Sequence, residues 1–446
     1  MGELYKSSFY NKYYEVCGRF WVFNTLNQGL LEVPEKCYHL LQEGIFDLEN
    51  CNPEILEDIG ELIENEFIII EKYNELKTIK NLFHNDKNKR DYMSVTIIPT
   101  LECNCACFYC FERQHHIRQE DSFDWNKVTD GILNYIEERL PYVKTLNIAW
   151  FGGEPLLKIK EIDNLSEKLI KLTKKYGVNY TASMTTNGTR LAHIPDICER
   201  LRKNKISNLQ ITLDGDEKHH NQTRKYANNG QGTFEEVIKA IKVLYSEKFK
   251  VSVRINLNKK NVSTISNVFD VLESEGLKDV KLYFGQLLDY SSGDSSKMYM
   301  DIEEFSNTLV LMYEMLKNRE FSYGMDDHYP IAARPCMACR PDSAVIDCNG
   351  NIFKCRTQTG ELDRKIGNVL NLKMQTRREA IQEINWAEWS PFDYHKCVEC
   401  QFLPLCMCGC PYTLYDNDFT EPVCVEWKYI TDYFVVEKIK EAIRNE

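Results

Sequence analysis

Ten cysteines fall between Cys336 and Cys424 and four more between Cys103 and Cys110, of 18 in a chain of 446 residues. Thiols at that density hold disulfides or soft metal, so whatever fold forms has to bring them together. The segment CNCACFYC sets Cys103, Cys107 and Cys110 at a C-x3-C-x2-C spacing. A cubane 4Fe-4S cluster takes four thiolates, so three leave one iron with a free position, by the logic that separates catalytic from structural zinc sites. A structural zinc site and a disulfide pair are the competing readings. Disulfides are disfavoured by compartment: MGELYKSSFYNKYYEV has no apolar h-region or cleavage site, and no apolar run of about 18 residues exists to span a membrane. A cytoplasmic, reduced chain is expected.

Around the cysteine run, strand-like stretches alternate with helix-period segments. VTIIP (Val95 to Pro99) precedes it, and LNIAWF, YTASMTT, LQITLD, VSVRIN and VKLYF follow. Between them Trp125 to Arg139, Ile159 to Tyr176, Phe234 to Lys248 and Ser263 to Glu275 are apolar every three to four residues. Six strands with six following helices predict an α/β fold with a parallel sheet, and right-handed crossovers curl it into a partial, TIM-like (β/α)6 barrel. Ligands in such barrels sit on the loops after the strands. Those positions carry Gly152, Gly153, Glu154 and Pro155; Thr185, Thr186, Asn187 and Gly188; Asp214 and Gly215; and Arg254 and Asn256. Each motif alone is also ordinary turn chemistry.

The cysteine run, with Tyr109 just before its last cysteine, resembles the signature of the radical S-adenosylmethionine (SAM) superfamily. The resemblance implies a 4Fe-4S cluster on Cys103, Cys107 and Cys110, and an open iron that chelates the amino and carboxylate groups of SAM. One electron then yields methionine and a 5'-deoxyadenosyl radical. It implies further that Gly152, Gly153 and Glu154 hold the SAM amino group and that Thr185 and Asn187 approach the ribose and methionyl part. Arg224 would face the carboxylate, with Tyr109 and Asn256 also placed at the cofactor; the alternative for Arg224 is a surface cation in a polar loop.

The C-terminal cysteines resemble the SPASM extension of that superfamily, which binds two auxiliary 4Fe-4S clusters, for three clusters in all. Matching residue by residue implies Cys336, Cys339, Cys355 and Cys410 for the first, and Cys397, Cys400, Cys406 and Cys424 for the second. Three cysteines are surplus. Cys105 is read as a small buried hydrophobe, while Cys348 or Cys408 could replace a ligand of the first auxiliary cluster.

The first residues read as strands YNKYYEV, RFWVFNTL and GLLEV, helices from Pro34 to Glu43 and Pro53 to Asn65, and a last strand FIII. Together they suggest a winged-helix-like module. Phosphate contacts dominate nucleic-acid affinity, and a Glu-rich segment in a chain of formal charge -12 is not built for them. The pattern is similar to precursor-recognition elements, which take a leader peptide as an added strand; a plain packing module is the alternative. The expected domains are 1–74 for that module, 75–92 for a linker or bridging helix, 93–320 for the barrel and 321–446 for the SPASM region.

The whole chain therefore resembles a radical SAM peptide maturase of the SPASM group, of the thioether-forming sactipeptide and ranthipeptide kind. The resemblance implies a ribosomally made precursor peptide as substrate and a ferredoxin or flavodoxin as reductant, with no nucleic acid and no membrane. Carbon–carbon or ether cross-linking is an alternative, as is a non-catalytic iron-sulfur protein. Anaerobic sulfatase maturases are a third; they carry an acidic residue after the cysteine matching Cys355, where this chain has Arg356.

Overall fold

The computed structural model describes residues 3–114, 124–288, 298–321, 330–416 and 421–446. These fall into two compact units: one takes in residues 88–321 and 337–389, the other 3–87, 330–336 and 390–446.

We number strands along the chain. The smaller unit opens with β1 (Leu4–Ser7), β2 (Asn11–Val16), β3 (Arg19–Asn24), β4 (Leu30–Val33), β5 (Ile45–Asp47) and β6 (Ile68–Ile70). They make two antiparallel sheets, a β2-β3-β4 meander and a β5-β1-β6 sheet. All four runs read from the sequence are strands, but β1 and β5 were not foreseen. LYKS and IFD are too short to show an alternation, and β1 is recruited by partners far along the chain, pairing Tyr5 with Phe46 and with Ile70. Helices Glu35–Leu40 and Leu56–Glu64 close a core of Val22, Cys37, Leu41, Ile59, Leu62 and Phe67. A second core packs Tyr14, Trp21 and Phe23 against Leu405, Val435 and Ile439, so the last helix, Trp427–Asn445, belongs with the N-terminal strands. Residues 75–88 are helical.

In the larger unit β7 (Tyr92–Ile97), β8 (Thr145–Trp150), β9 (Asn179–Thr186), β10 (Ile206–Thr212), β11 (Lys250–Leu257) and β12 (Lys281–Gln286) lie side by side in chain order, all parallel. Parallel neighbours need long crossovers, and the helices Trp125–Glu137, Ile159–Tyr176, Ile197–Lys203, Phe234–Ser246 and Ile265–Ser274 supply them. One face of each strand is largely apolar, as with Met93, Val95 and Ile97, or Leu146, Ile148 and Trp150. The residues between are small or polar: Thr96, Ala149, Ser183, Thr185, Asn208, Gln210 and Ser252 line a cavity of about 310 Å³. A parallel sheet covered on both faces is apolar on both; this alternation marks a sheet packed on helices outside and hollow inside, in keeping with a partial barrel.

The cysteine-rich segment contributes to the same sheet. Beyond β7 lie β13 (Ser343–Ile346), parallel to it, then β14 (Asn351–Phe353) and β15 (Gly367–Asn368), both antiparallel. Among the described residues no helix is long and apolar enough to cross a membrane.

Candidate functional site

The site gathers at the carboxyl ends of β7 to β12, in a cavity of about 280 Å³. The loop after β7 brings Cys103, Cys107 and Cys110 to its wall, with Tyr109 between them. Backbone bonds pin this loop: the Ala106 amide donates to the Lys225 carbonyl (2.8 Å) and the Ala227 amide to the Asn104 carbonyl (2.8 Å). The pinning holds 225–227 against the cysteines and carries Arg224 inward.

After β8, Gly152 and Gly153 pass so close to the loop that no side chain fits. A Cβ on Gly152 would meet the Thr100 carbonyl oxygen at 2.5 Å; one on Gly153 would lie well under 3.0 Å from the Glu102 carbonyl oxygen. In exchange the Gly153 amide donates to the Thr100 carbonyl (3.2 Å) and the Glu154 amide to that of Glu102 (2.9 Å). These glycines therefore seat the cysteine loop as well as lining the cavity.

Glu154 is fully buried and is not part of the cavity wall. Its carboxylate accepts from the Leu156 amide (3.0 Å), the Thr186 hydroxyl (2.8 Å) and the Asn187 amide (2.8 Å). It ties the end of β8 to the turn after β9. Asn187 carries the tie onward, donating through Nδ2 to Asn104 Oδ1 (2.8 Å) and to the Cys103 sulfur (3.7 Å). Burial pushes the Glu154 carboxyl up to about 7, against those hydrogen bonds. Stability linked to its proton is thus complete below about 4.5 and lost as pH rises through about 7. Glu154→Gln should remove that slope and cost about 1–3 kcal/mol, because one end of the amide then faces a buried donor with a donor. Chemical denaturation of both proteins at about pH 4.5 and about pH 8 checks the slope and the loss together.

Arg224 is buried, so the surface-cation reading is set aside. Its Nη1 donates to the Tyr109 hydroxyl (2.6 Å) and lies 3.6 Å from Asp214 Oδ2. Tyr109 in turn donates to Asp214 and accepts from Asn256 Nδ2 (3.3 Å), and Asp214 Oδ1 accepts from the Asn256 side chain (3.0 Å). The ends of β10 and β11 thus fix the aromatic residue of the cysteine run. Burial drives the Tyr109 phenol well up, and the Cys107 thiol up as well, with Arg224 opposing both.

Cys105 is buried, as expected, but it has a partner. The Cys103 thiol is brought down to about 6, chiefly by a hydrogen bond from the Cys105 side chain, and the Cys105 amide adds another at 3.4 Å. Several residues on the wall were missed, Glu112 among them. Glu112, two positions past the run, is buried, has no partner for Oε1, and is pushed up to about 8 by burial and then by Cys103. Gln210, Thr212, Arg254 and Arg356 also line the cavity. Gln210 and Thr212 recur two residues apart along β10, as the already noted Arg254 and Asn256 do along β11, a polar period that could have marked them.

Among the C-terminal cysteines, Cys355 directly precedes Arg356 and Thr357 of the cavity wall. Cys348 is buried, with its thiol pushed up to about 12 chiefly by burial. In the smaller unit, Cys397 and Cys400 flank one turn, and Cys406 ends the short helix Leu403–Cys406. Met407, Cys408 and Gly409 then all have positive φ, reversing the chain. That reversal puts Cys408 beside Cys397, Cys406 and Cys400. Cys408 therefore neighbours residues matched to the second auxiliary cluster, whereas the sequence reading offered it to the first.

The donor set fits the cluster that the motif implies: three thiols from one loop line one cavity, beside a buried guanidinium.

The comparisons agree with this geometry. The chain is 26% identical over 339 residues to a cysteine-type anaerobic sulfatase-maturating enzyme of Clostridium novyi, covering 71% of this chain and 87% of that one. The structure of anSMEcpe with bound AdoMet and Kp18Cys peptide matches with a TM-score of 0.60 at 18% identity, over 79% of this chain and 98% of that one. Streptococcus suis SuiB bound to S-adenosylmethionine matches with a TM-score of 0.51 at 17% identity, over 92% and 96%. The model of the Radical SAM superfamily matches residues 97–272, from the end of β7 through β11. The cysteine loop, the glycine pair and strands β8 to β11 all fall inside that span, so these residues carry the features of a radical SAM domain.

Proposed function

We propose that this enzyme matures a ribosomally made peptide, closing a thioether between a cysteine sulfur and a carbon of the same peptide with the net loss of two hydrogens. Cys103, Cys107 and Cys110 would hold the 4Fe-4S cluster, and Arg224 with the Tyr109, Asp214 and Asn256 network would shape the SAM pocket beside it. When bound, cluster and SAM supply a one-electron cleavage that delivers a hydrogen-abstracting radical. The carrying observation is that Arg356 and Thr357, next to Cys355, line the same cavity as the three loop cysteines. An oxidation that removes two hydrogens must pass on an electron, and auxiliary clusters on the C-terminal cysteines would take it. The hollow, polar cavity admits a peptide, and SuiB, of similar fold, has been solved with its precursor peptide SuiA. The N-terminal module, read as winged-helix-like, would hold the leader, and a ferredoxin or flavodoxin would supply electrons.

Sulfatase maturation is the second reading, favoured by the Clostridium novyi relative. Against it stands Arg356: a guanidinium cannot accept a proton, whereas the maturases carry an acid there. The test is anaerobic co-expression with short peptides encoded beside the gene, then mass spectrometry before and after thiol alkylation. Thioether formation predicts two hydrogens lost and one fewer alkylatable cysteine per modification. Two hydrogens lost with every thiol still alkylatable would instead mean carbon–carbon or ether chemistry.

A further inference from the structure

We infer that Arg254 and Arg356 form a carboxylate-binding subsite that holds an Asp or Glu side chain of the substrate next to the carbon to be modified; the inference rests on the peptide-maturase reading above. Three arginines line the cavity, and they are not equivalent. Arg224 has its own carboxylate, Asp214, and the Tyr109 hydroxyl. Arg254 and Arg356 pair with no carboxylate among the described residues. Arg254 donates through Nε to Asn256 Oδ1 at 2.8 Å, and Arg356 lies 5.1 Å over the Phe151 ring.

Their placement is built. A Cβ on Gly285 of β12 would sit 2.5 Å from Arg254 Nη2, so that strand gives up a side chain to let the guanidinium lie across it. Arg254 also lies 5.9 Å from the Tyr283 ring centroid. Tyr283, whose phenol is pushed up by burial, lines a cavity together with Arg356. That phenol is held in turn by Gln210 Oε1 at 2.5 Å. Two permanent charges on one cavity wall, Arg254 half-buried and Arg356 exposed, attract an anion, and the planar guanidinium fork suits a carboxylate. Arg224 already serves the SAM carboxylate in the reading above. Arg356 arrives from the C-terminal segment after β14, which leaves the substrate as the source of the anion.

The experiment takes the peptide that co-expression shows to be modified and synthesises it with each Asp or Glu changed in turn to Asn or Gln, and once with an amidated C-terminus. The wild-type enzyme should show one acidic side chain whose loss lowers kcat/KM about 10- to 100-fold, the range of a charged hydrogen bond. Arg356→Gln should lower kcat/KM on the acidic peptide by a similar factor and abolish the preference over the carboxamide, and Arg356→Lys should restore part of it. Arg254→Gln should give the same loss of preference. An equal loss on both peptides would assign Arg356 to the surroundings of Cys355 and overturn the subsite, as would indifference to every acidic side chain. Dependence on the terminal carboxylate alone would overturn the side-chain assignment. If the wild-type enzyme modifies no peptide, the maturase reading falls and takes the subsite with it.

Discussion

Replacing Cys103, Cys107 and Cys110 together by Ala should bring 5'-deoxyadenosine production from SAM to background in the anaerobically reconstituted, reduced protein. Among the described residues the three thiols are the only cysteines on the cavity wall, and they come from one loop. Cys105, the nearest spare thiol, is buried and hydrogen-bonded toward Cys103. Without the three thiolates no other soft donors in the cavity could keep iron there, and without iron SAM has nothing to chelate. Iron analysis should show a loss confined to one cluster's share, with the C-terminal sites still loaded. The fold should survive, because the loop is held by backbone bonds from Ala106, Ala227, Gly153 and Glu154 that the substitutions leave alone. Survival of SAM cleavage in the triple variant would remove the cluster assignment.

Gly153→Ala should be nearly as damaging, for a reason unrelated to metal chemistry. The added Cβ would press into the Glu102 carbonyl and, at 2.6 Å, the Leu101 carbonyl oxygen. Both obstacles are backbone, so relief requires the loop to retreat from the end of β8 and give up the Gly153–Thr100 and Glu154–Glu102 bonds. Overpacking of this kind costs about 1–3 kcal/mol and sometimes more, and the displaced loop should lose most of its cluster. Chemical denaturation gives the first quantity and the iron-sulfur absorbance of the reconstituted protein the second. Gly60→Ala is the matched control. It lies in the helix Leu56–Glu64 with nothing within 4 Å of its new Cβ, so the same change should stabilise by about 0.5–1 kcal/mol. A Gly153→Ala protein with full cluster content and unchanged stability would show that the loop does not depend on this close approach.

Much of the larger unit was legible because its signals are local. The six strand runs from VTIIP to VKLYF became β7 to β12, and the span Ile159 to Tyr176 is the helix read from its period. Each of these strands has one face of uninterrupted apolar residues, which a reader sees without knowing the partner strand. The smaller unit was read less well. LYKS and IFD gain strand character only from each other and from the distant Ile68–Ile70, so nothing within four residues announces them. Nor does anything local show that Leu405, Val435 and Ile439 pack on Tyr14, Trp21 and Phe23.

The candidate site divides along the same line. Cysteine spacing is a property of the chain itself, so Cys103, Cys107 and Cys110, which line one cavity, and the glycine pair were both visible as motifs. Whether a polar residue near a strand end faces the cavity or the protein is set by the pleat and by what closes over it. Glu154 looked like a cofactor contact and is a buried tie to Asn187; Arg224 looked equally like a loop cation and lies buried on Tyr109. Glu112 drew no notice because a lone Glu after a turn has no signature until burial strips its partners away.

By itself, then, the amino-acid order determined the cysteine run, the succession of six parallel strands and the helices that join them, since thiol spacing and hydrophobic period are properties of neighbouring residues. Only the tertiary structure decided that Arg356 lines the same cavity as Cys103, more than two hundred positions earlier, and that it shares that wall with Arg254, neither paired with a carboxylate among the described residues. That meeting depends on β13 docking against β7 and β14 folding back on β13, contacts made by backbone hydrogen bonds that carry no trace in the residues they bring together.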